Sequence, residues 1–599
     1  MIGIYRQLFD LLDPAERRQF YGLLALVILM ALIDLVGVAV VLPFLAVASD
    51  ASRIHDSSVL SWLYETSGVT SDAGFILLLG ILVFAFILFG LAVKLVAQYR
   101  IIRFSHLRNH SLSRGLLRRY MAHPYVWFLG RNSADLGAAI LAECNTIVGS
   151  ALIPAMRILA NAVSLLFLVV LLIVISPAVA AFAAFGIGGA YALIFLFVRN
   201  RLGRLGQHLF VANAARHRMA LEAFGGIKDV KLLQLEGRYA DRYDDPSVLY
   251  AESSASSQVI GELPRFLLEA VAFGGLVMMI LALLVLQDGR LADILPILGV
   301  FGFAVLKIFP AVQQIYHSLT QIRFTAPTLA KLHGDLTTGQ LPPAPADFLA
   351  AGPPPIPLTD RLELRDVHFA YPGGGVPTLR GLTLTIPARS SVGIVGGTGA
   401  GKTTAIDVIL GLLVPDQGAV VVDGQILTAE TRPCWQQSLG YVPQQIFLID
   451  DSVAANIAFG LPPALRDMVL VERAARLAEL HDFITADLPQ GYDTIVGERG
   501  VRLSGGQRQR IGIARALYHD PDVLIFDEAT SALDTLTERA VMEAVHNIGH
   551  AKTIIMIAHR LTTVRGCDTI FLLEDGRLAA EGDFDTLVAK SPTFRKMAS

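Results

Sequence analysis

Six long apolar segments in the first half of the chain constrain its fold more than any other feature of the sequence. Each carries at most two charged residues and is long enough to cross a bilayer core of about 30 Å as a helix. The segments are 20–48, 74–97, 147–175, 178–198, 263–286 and 294–315. They predict an α-helical transmembrane bundle of six spans, which places both chain termini on the same side of the membrane.

The charges of the connecting loops orient this bundle. Residues 99–119 hold six arginines and no acidic residue, whereas 49–73 is net acidic. By the positive-inside rule, 98–146 and 199–262 are predicted to be cytoplasmic and to extend the spans as helical stalks. We therefore expect a multi-pass protein of the inner (plasma) membrane with cytoplasmic termini and no cleavable signal peptide. Tyr5–Phe20 is expected to be an amphipathic helix on the membrane surface.

Charge and cysteine content exclude several other classes of protein. The net charge is −3, so the chain lacks the basic signature of a nucleic-acid-binding protein. Its three cysteines, Cys144, Cys434 and Cys567, lie far apart and lack the spacing of metal ligands. We expect them to be reduced and structural.

A proline-rich stretch, 341–358, separates the apolar half from a second half of different texture. Such a stretch is typical of a linker rather than of a core element. Short apolar strands, glycine turns and charged helices follow it, which indicates a soluble α/β domain. We therefore divide the chain into a transmembrane domain, 1–325, a linker, 326–358, and an α/β domain, 359–599.

The α/β domain contains a phosphate-binding loop. SVGIVGGTGAGKTT, residues 391–404, reads as a strand, a glycine-rich loop and the start of a helix, and it fits G-x-x-x-x-G-K-[ST]. Glycines let backbone N–H groups approach phosphate oxygens, while Lys402 is expected to reach the β- and γ-phosphates and Thr403 to ligate Mg²⁺. The predicted ATP contacts here are Gly396, Gly397, Thr398, Gly399, Ala400, Gly401, Lys402, Thr403 and Thr404.

Two carboxylates follow an apolar strand further along the chain. In DVLIFDEAT, residues 522–530, four consecutive apolar residues are typical of a parallel strand that is covered on both faces. Ligands of such sheets bind beyond the carboxyl ends of the strands, where Asp527 and Glu528 would lie. We expect Asp527 to hold Mg²⁺ and Glu528 to polarise the water that attacks the γ-phosphate.

With these motifs, residues 360–599 resemble the nucleotide-binding domain of an ATP-binding-cassette (ABC) transporter. Leu503–Gln507, which reads LSGGQ, matches the signature of that family. The resemblance implies that Tyr371 stacks on adenine, that Gln444 contacts Mg²⁺ and the attacking water, and that His559 acts on the γ-phosphate. It also implies ATP contacts for Ser504, Gly505, Gly506, Gln507 and the D-loop residue Asp534. VGERG, 496–500, resembles the loop that contacts a partner's intracellular helices.

In ABC proteins, the phosphate loop of one domain and the signature of another close on the same ATP. This chain has one copy of each motif. The resemblance therefore implies a dimer in which Ser504 and Gly506 act on ATP bound by the other subunit. Because every motif is intact, we expect a homodimer rather than a heterodimer, with ATP and Mg²⁺ as its cofactors.

Six spans ahead of one such domain are the half-transporter arrangement of ABC exporters with the type IV fold. Residues 121–137 and 222–237 resemble the two coupling segments through which that family's spans dock onto the ATPase domain. The resemblance implies that ATP binding closes the dimer and turns the cavity outward, and that hydrolysis resets it.

The membrane half also resembles the bacterial lipid-linked oligosaccharide flippases of the PglK type, which serve protein glycosylation. The likeness lies in IDLVGVAVVLPFLAVASD, 33–50, and ELPRFLLEAVAF, 262–273. It implies that Arg265 and Lys307 attend the pyrophosphate of a polyprenyl-linked sugar. A third arginine of those flippases aligns with Gly90 here, and Lys94 lies one turn away.

Other interpretations of these charges are open. Arg265 has Glu269 at i+4, where a local ion pair forms without any substrate. Lys94 can snorkel to the cytoplasmic interface instead of binding cargo. Asp34 can pair with Arg265 or Lys307, or line the cavity.

The outward segment 57–68 has a short apolar stripe, formed by Val59, Leu60, Trp62 and Leu63. It either guides a lipid tail or plugs the loop against the bundle.

Three functions follow from the whole sequence: a flippase for a lipid-linked oligosaccharide, a general exporter of lipids, drugs or peptides, and an ATPase that gates a channel without pumping. Intact catalytic motifs disfavour the third.

Overall fold

The computed structural model describes residues 2–49, 51–52, 54, 58–69, 71–175, 177, 188–286, 291–337, 354–497, 500–527, 552–558 and 561–598. The chain divides into two compact units. The first comprises Met1–His123 and Arg131–Pro342, and the second comprises Pro124–Gly130 and Pro343–Ser599.

The first unit is built from helices, and one short helix from this half of the chain, α5, belongs to the second unit. The helices are α1 (Ile2–Asp10), α2 (Pro14–Ser49), α3 (Ser58–Ser67), α4 (Asp72–Met121), α5 (Tyr125–Leu129), α6 (Ser133–Ala138), α7 (Cys144–Ile147), α8 (Ile153–Ile175), α9 (Gly189–Gly225), α10 (Ile227–Leu232), α11 (Glu236–Leu286) and α12 (Leu291–Thr337). Two π-helical turns, Ala139–Glu143 and Val148–Leu152, join α6, α7 and α8.

The predicted spans coincide with long helices. Among the described residues, Pro14–Val41, Asp72–Met121 and Ser133–Val174 are long and apolar enough to cross a membrane. The fifth and sixth predicted spans lie within α11 and α12, whereas 178–187 of the fourth lies outside the described residues. Because α4, α9, α11 and α12 continue far beyond the apolar segments, the loops predicted to form stalks are helical.

The end of α12 corrects the predicted start of the linker. The helix continues to Thr337, so residues 326–337, which the sequence analysis assigned to the linker, are part of α12. Leu329 and Leu332 are fully buried there, and this burial stabilises the helix up to the point where the proline-rich composition begins. The remaining linker residues, 338–353, lie outside the described residues.

Ion pairs join several helices of the first unit. Glu16 of α2 and Arg108 of α4 form an ion pair at 2.5 Å, and each side chain is about nine-tenths buried. Lys331 of α12 donates to Glu143 at 2.9 Å. The first pair joins α2 to α4, and the second joins α12 to the π-helical turn that ends at Glu143. Removing one partner would leave an uncompensated charge on the other, largely buried side chain.

Helix α3 divides its apolar side chains between two environments. Leu60 and Tyr64 pack against a small buried cluster of Val47, Ile54 and Phe75. In contrast, Val59 and Trp62 are both more than half exposed. The predicted single stripe is therefore split: one part closes the loop against the bundle, and the other faces outward.

The second unit is an α/β domain with two sheets. Its strands are β1 (Arg361–Phe369), β2 (Leu379–Pro387), β3 (Ser391–Gly396), β4 (Gln417–Val422), β5 (Gln425–Ile426), β6 (Leu439–Val442), β7 (Val523–Asp527), β8 (Thr553–Ile557), β9 (Thr569–Glu574) and β10 (Arg577–Gly582). The orders are β2-β1-β4-β5 and β10-β9-β3-β8-β7-β6. The larger sheet is parallel from β9 to β6, and every residue of β7 is buried, as its apolar run predicts.

Helices cover the larger sheet and connect its strands. They are α13 (Lys402–Ile409), α14 (Arg432–Gln436), α15 (Val453–Ile457), α16 (Met468–Leu477), α17 (His481–Asp487), α18 (Gly505–Leu517), α19 (Leu561–Val564), α20 (Phe584–Lys590) and α21 (Pro592–Ala598). Since β3, β8, β7 and β6 run parallel, their carboxyl ends meet at one edge of the sheet. The phosphate loop, Asp527 and Gln444 follow three of these strands.

Candidate nucleotide-binding site

The glycine-rich loop between β3 and α13 adopts a conformation that requires glycine. Gly401, at the helix N-cap, has φ = +96°, and a Cβ there would come within 2.9 Å of the Leu379 side chain. Gly399 has φ = +81°, and both Gly397 and Gly399 face open space. The loop therefore presents a concave backbone surface next to a helix N-terminus, which is where anions bind in proteins.

Lys402 lies across this loop. Its Nζ donates hydrogen bonds to the carbonyl oxygens of Gly396 at 2.9 Å and Gly397 at 3.0 Å. The side chain is 6% exposed, so a positive charge is held at the floor of the loop. Its neighbour Thr403 is exposed at the start of α13. A buried cation and an open cradle of backbone N–H groups fit the phosphates of ATP.

Two acidic side chains converge beside the loop, and the sequence analysis had identified only one. Asp527, at the carboxyl end of β7, is 7% exposed and accepts a hydrogen bond from the Tyr441 hydroxyl at 3.4 Å. Asp407 of α13 is 8% exposed, and burial, together with the charge of Asp527, raises its pKa to about 6. Carboxylate and threonine oxygens are ligands of the kind that Mg²⁺ prefers, so the types of residue present at this edge fit this ion.

The predicted adenine-stacking residue lies at the same end of the domain. The Tyr371 hydroxyl is 3.1 Å from Oγ1 of Thr404, and its ring packs edge-on against Phe369 at 5.0 Å between centroids. From the short helix α5, Val126 packs against the same hydrophobic cluster as Tyr371. Burial raises the pKa of Tyr125, and the charge of Asp407 contributes to the shift. The predicted first coupling segment therefore lies close to Tyr371 and Asp407.

The signature residues begin helix α18. Ser504 is its N-cap: the side chain accepts from the Gln507 N–H at 3.2 Å, and the Ser504 N–H donates to Oε1 of Gln507 at 2.8 Å. This reciprocal pair is a capping box. The capping box satisfies the backbone N–H groups of Ser504 and Gln507. The other N–H groups of the first turn have no partner within the helix itself. Gly505 and Gly506 contribute two of these groups without side chains that would block an anion.

An asparagine and an arginine anchor the loop that follows Gln444, and the sequence analysis missed both. Asn456 is fully buried; its amide donates to the carbonyl of Ile449 at 3.0 Å, and its oxygen accepts from Arg515 at 3.2 Å. Arg515 of α18 also donates to the carbonyl of Phe447 at 2.9 Å. Burial lowers the pKa of Arg515 to about 10. These bonds connect the Gln444 loop to the signature helix.

Several predicted residues lie outside the described part of the chain. They are Glu528, Asp534 and His559, together with Glu498 and Arg499 of the VGERG segment. Gln444 is exposed two residues beyond β6, and β6 is the neighbour of β7. The described edge therefore brings together the phosphate loop, Asp527 and the Gln444 loop.

Two of the cations predicted for the membrane cavity, Arg265 and Lys94, have local partners. Nε of Arg265 donates to Glu269 at 2.9 Å within α11, which is the local ion pair that the sequence analysis left open. Lys94 lies 4.0 Å from Asp34, so Asp34 faces Lys94 rather than Arg265. Lys307 is part of α12, but its side chain lies outside the described set.

Comparisons with known proteins cover both halves of the chain. The family model for the ABC transporter transmembrane region matches residues 39–301, and the model described as ABC transporter matches residues 379–531. The ATP-dependent lipid A-core flippase of Saccharophagus degradans is 29% identical over 81% of this chain and 80% of that protein. The heterocyst differentiation ATP-binding protein of Nostoc sp. is 32% identical over 66% of this chain and 64% of that protein.

A solved structure agrees with the whole chain. A bacterial Atm1-family ABC exporter with ATP bound superposes with a TM-score of 0.78 and 26% identity, covering 98% of both chains. Because the match covers almost the full length of both chains, the two halves of this chain and their order agree with that exporter. The chain therefore belongs to the ABC transporter family, as an exporter half-transporter whose helical transmembrane domain precedes an ATPase domain that couples ATP hydrolysis to transport.

Proposed function

We propose that two copies of this chain form a flippase in the inner (plasma) membrane. The flippase uses ATP to move a polyprenyl-pyrophosphate-linked oligosaccharide from the cytoplasmic to the outer leaflet. The observation that carries this proposal is the presence of cationic side chains inside otherwise apolar spans of an exporter. Charges at such positions are costly and mark the path of a charged group. The relatives named lipid A-core flippases support a lipid cargo.

Within the ATPase domain, each predicted site residue has a definite task in this proposal. The backbone N–H groups of 396–404 and the Lys402 ammonium bind the phosphates, and Tyr371 stacks on adenine. Thr403, Asp527 and Gln444 hold Mg²⁺, which neutralises phosphate charge when bound. Glu528 polarises the attacking water, and His559 contacts the γ-phosphate.

The signature residues complete the site of the other subunit. Ser504, Gly505, Gly506 and Gln507 present the N-terminus of α18, and Asp534 accompanies them from the D-loop. The capping box preorganises this helix end, so little order has to be gained when a phosphate arrives. Each ATP is thereby enclosed by two chains, which makes dimer closure depend on ATP.

The Arg265–Glu269 pair has a defined part in cargo binding. A pyrophosphate entering the cavity must compete with Glu269 for the Arg265 guanidinium. A planar guanidinium can bind phosphate oxygens in bidentate fashion, and a dianionic group offers more negative charge than one carboxylate. Lys307 and Lys94 add positive charge along the path.

The test is flipping of a fluorescent lipid-linked oligosaccharide in proteoliposomes. Wild-type protein should flip it only with ATP and Mg²⁺, and Glu528→Gln should bind ATP but neither turn over nor flip, because an amide cannot act as the base. Arg265→Ala and Lys307→Ala should each weaken cargo binding by about 1.5–3 kcal/mol while basal ATPase survives. The double variant Arg265→Ala/Glu269→Ala controls for misfolding caused by an unpaired Glu269.

A general lipid exporter is the alternative function, and the observed Arg265–Glu269 pair is the observation in its favour. If both single variants flip the oligosaccharide at the wild-type rate, the charges are structural. If wild-type protein moves neutral lipids or drugs but never a pyrophosphate-linked lipid, the cargo assignment is wrong and the general exporter stands.

A further inference from the structure

A basic groove of about 750 Å³ lies between α9 and α12 in the first unit. Its walls include Asn200, Arg204 and Gln207 of α9 and Arg323 of α12. None of the lining residues that the structure describes is acidic. The groove shares no residue with the ATP site or with the three cations assigned above to the cargo path.

Two glycines of α9 set the shape of this groove. A Cβ at Gly206 would come within 1.9 Å of the carbonyl oxygen of Phe324, so only glycine permits the close crossing of α9 and α12. One turn earlier, a Cβ at Gly203 would lie 3.5 Å from the guanidinium of Arg323. The helices are thus in backbone contact at Gly206, and the Arg323 side chain lies along Gly203 at the groove wall.

The Arg323 guanidinium is held in place. Its Nε donates to the carbonyl oxygen of Arg199 at 3.3 Å, which uses one of its five donors. Arg199, Arg201 and Arg204 add three positive charges within two turns of α9. Among the described ion pairs, none involves any of these four arginines, so their charge is not cancelled by a neighbouring carboxylate within that part of the chain.

The groove begins at the depth of lipid head groups and continues a few ångströms beyond them. The fourth apolar segment ends at residue 198. At 1.5 Å per helical residue, Asn200 and Gln207 lie roughly 3–14 Å beyond it. The polar layer of each leaflet is about 5–8 Å thick. A phosphate attached to a lipid in the leaflet beside this arginine-rich end would therefore be within reach of the groove.

We propose that the α9–α12 groove binds the phosphate group of an anionic lipid in the cytoplasmic leaflet. The guanidinium groups of Arg204 and Arg323 match phosphate oxygens in geometry and charge, and the amides of Asn200 and Gln207 supply further donors. Two lipids carry this chemistry: the pyrophosphate-linked cargo and an anionic membrane phospholipid. For the cargo, the proposal rests on the proposed function and makes the groove its loading site.

The test measures lipid binding to the full-length protein in phosphatidylcholine nanodiscs, with bound lipids counted by native mass spectrometry. The probes are undecaprenyl pyrophosphate, phosphatidylglycerol and, as a soluble competitor, inorganic pyrophosphate. Arg204→Gln and Arg323→Gln should each weaken binding by roughly tenfold. Arg201→Gln is the matched control, because Arg201 is exposed on the same turn of α9 but does not line the groove, and it should bind like wild type.

A second variant keeps every charge and fills the space. Ala326→Trp places an indole in the groove and should also reduce binding, while basal ATPase confirms that the protein is folded. Arg323→Lys should bind lipid more tightly than Arg323→Gln but less tightly than wild type. Lysine retains the positive charge but lacks the planar guanidinium that can bind two phosphate oxygens at once. Preference for undecaprenyl pyrophosphate identifies the cargo as the ligand, and equal binding of phosphatidylglycerol identifies a membrane phospholipid.

The proposal is overturned if the Arg204→Gln/Arg323→Gln double variant and Ala326→Trp bind both lipids as tightly as wild type. Loss of groove-dependent binding and failure of the proposed flippase function can be told apart. Failure of wild-type protein to flip the oligosaccharide would refute the flippase assignment, yet groove-dependent lipid binding would still be measured in the same preparation.

Discussion

At the scale of single residues, Asn456 occupies a position that no ABC motif identifies. Its side chain accepts from the Ile449 N–H and donates to the carbonyls of Ile449 and Ser452, and it also accepts from Arg515. One buried amide therefore holds the end of the Gln444 loop, the start of α15 and the signature helix. Any shift of the Gln444 loop must be accommodated through this group.

Asn456→Ala should destabilise the ATPase domain. The substitution leaves backbone groups of Ile449 and one Arg515 donor without partners, and each unpaired buried group costs about 1–3 kcal/mol. Thermal unfolding should show a lower Tm, and ATP turnover should fall with it. The control is Gln445→Ala, which removes an exposed amide from the same loop and should leave Tm unchanged. Equal Tm values for the two variants would contradict the anchoring role.

At the scale of elements, α5 is the short helix that the transmembrane half of the sequence contributes to the ATPase unit. Val126 packs against the same hydrophobic cluster as Tyr371 and Tyr441. Leu129, at the other end of the same helix, is 49% exposed. A helix of five residues has little stability by itself, so its position depends on contacts with the ATPase unit such as that of Val126.

Val126→Asp should detach α5 from the ATPase unit. Burying a carboxylate in that cluster without a partner is costly, so the helix should become more exposed to solvent. Hydrogen exchange of the amides of 125–129 should accelerate, and stimulation of ATPase by cargo should be lost while basal turnover remains. Leu129→Asp adds the same charge at an exposed position. If it accelerates exchange as much as Val126→Asp does, the Val126 contact is not what holds the helix.

At the scale of the whole molecule, the two phosphate-binding features of one chain are proposed to serve two different ATP molecules. The described side-chain contacts of Ser504 are with Gln507 of its own helix, and Lys402 contacts its own loop. Each feature is complete as a local structure. A dimer is therefore what would bring one copy of each feature to the same phosphate.

Mixing Lys402→Ala chains with Ser504→Arg chains should restore part of the ATPase activity. In the mixed dimer, both lesions fall in one composite site and the other site has neither, whereas each homodimer has two damaged sites. Phosphate release by purified mixed dimers measures the recovery. A cysteine crosslink between position 401 of one chain and position 504 of the other gives a readout independent of turnover. If neither recovery nor crosslinking occurs, sites shared between chains are excluded.

The sequence by itself determined the features that depend on local pattern. Bilayer thickness and apolar length predict the spans, and the phosphate loop and signature each need contiguous residue types, so both appear in a single stretch of sequence. Tertiary structure alone decided which distant residues meet. Asp407 and Asn456 resemble ordinary helix residues in sequence, and Leu60 resembles its exposed neighbours in α3. The α9–α12 groove arises because Gly206 contacts a carbonyl more than a hundred residues away, and such a contact has no signature in local sequence.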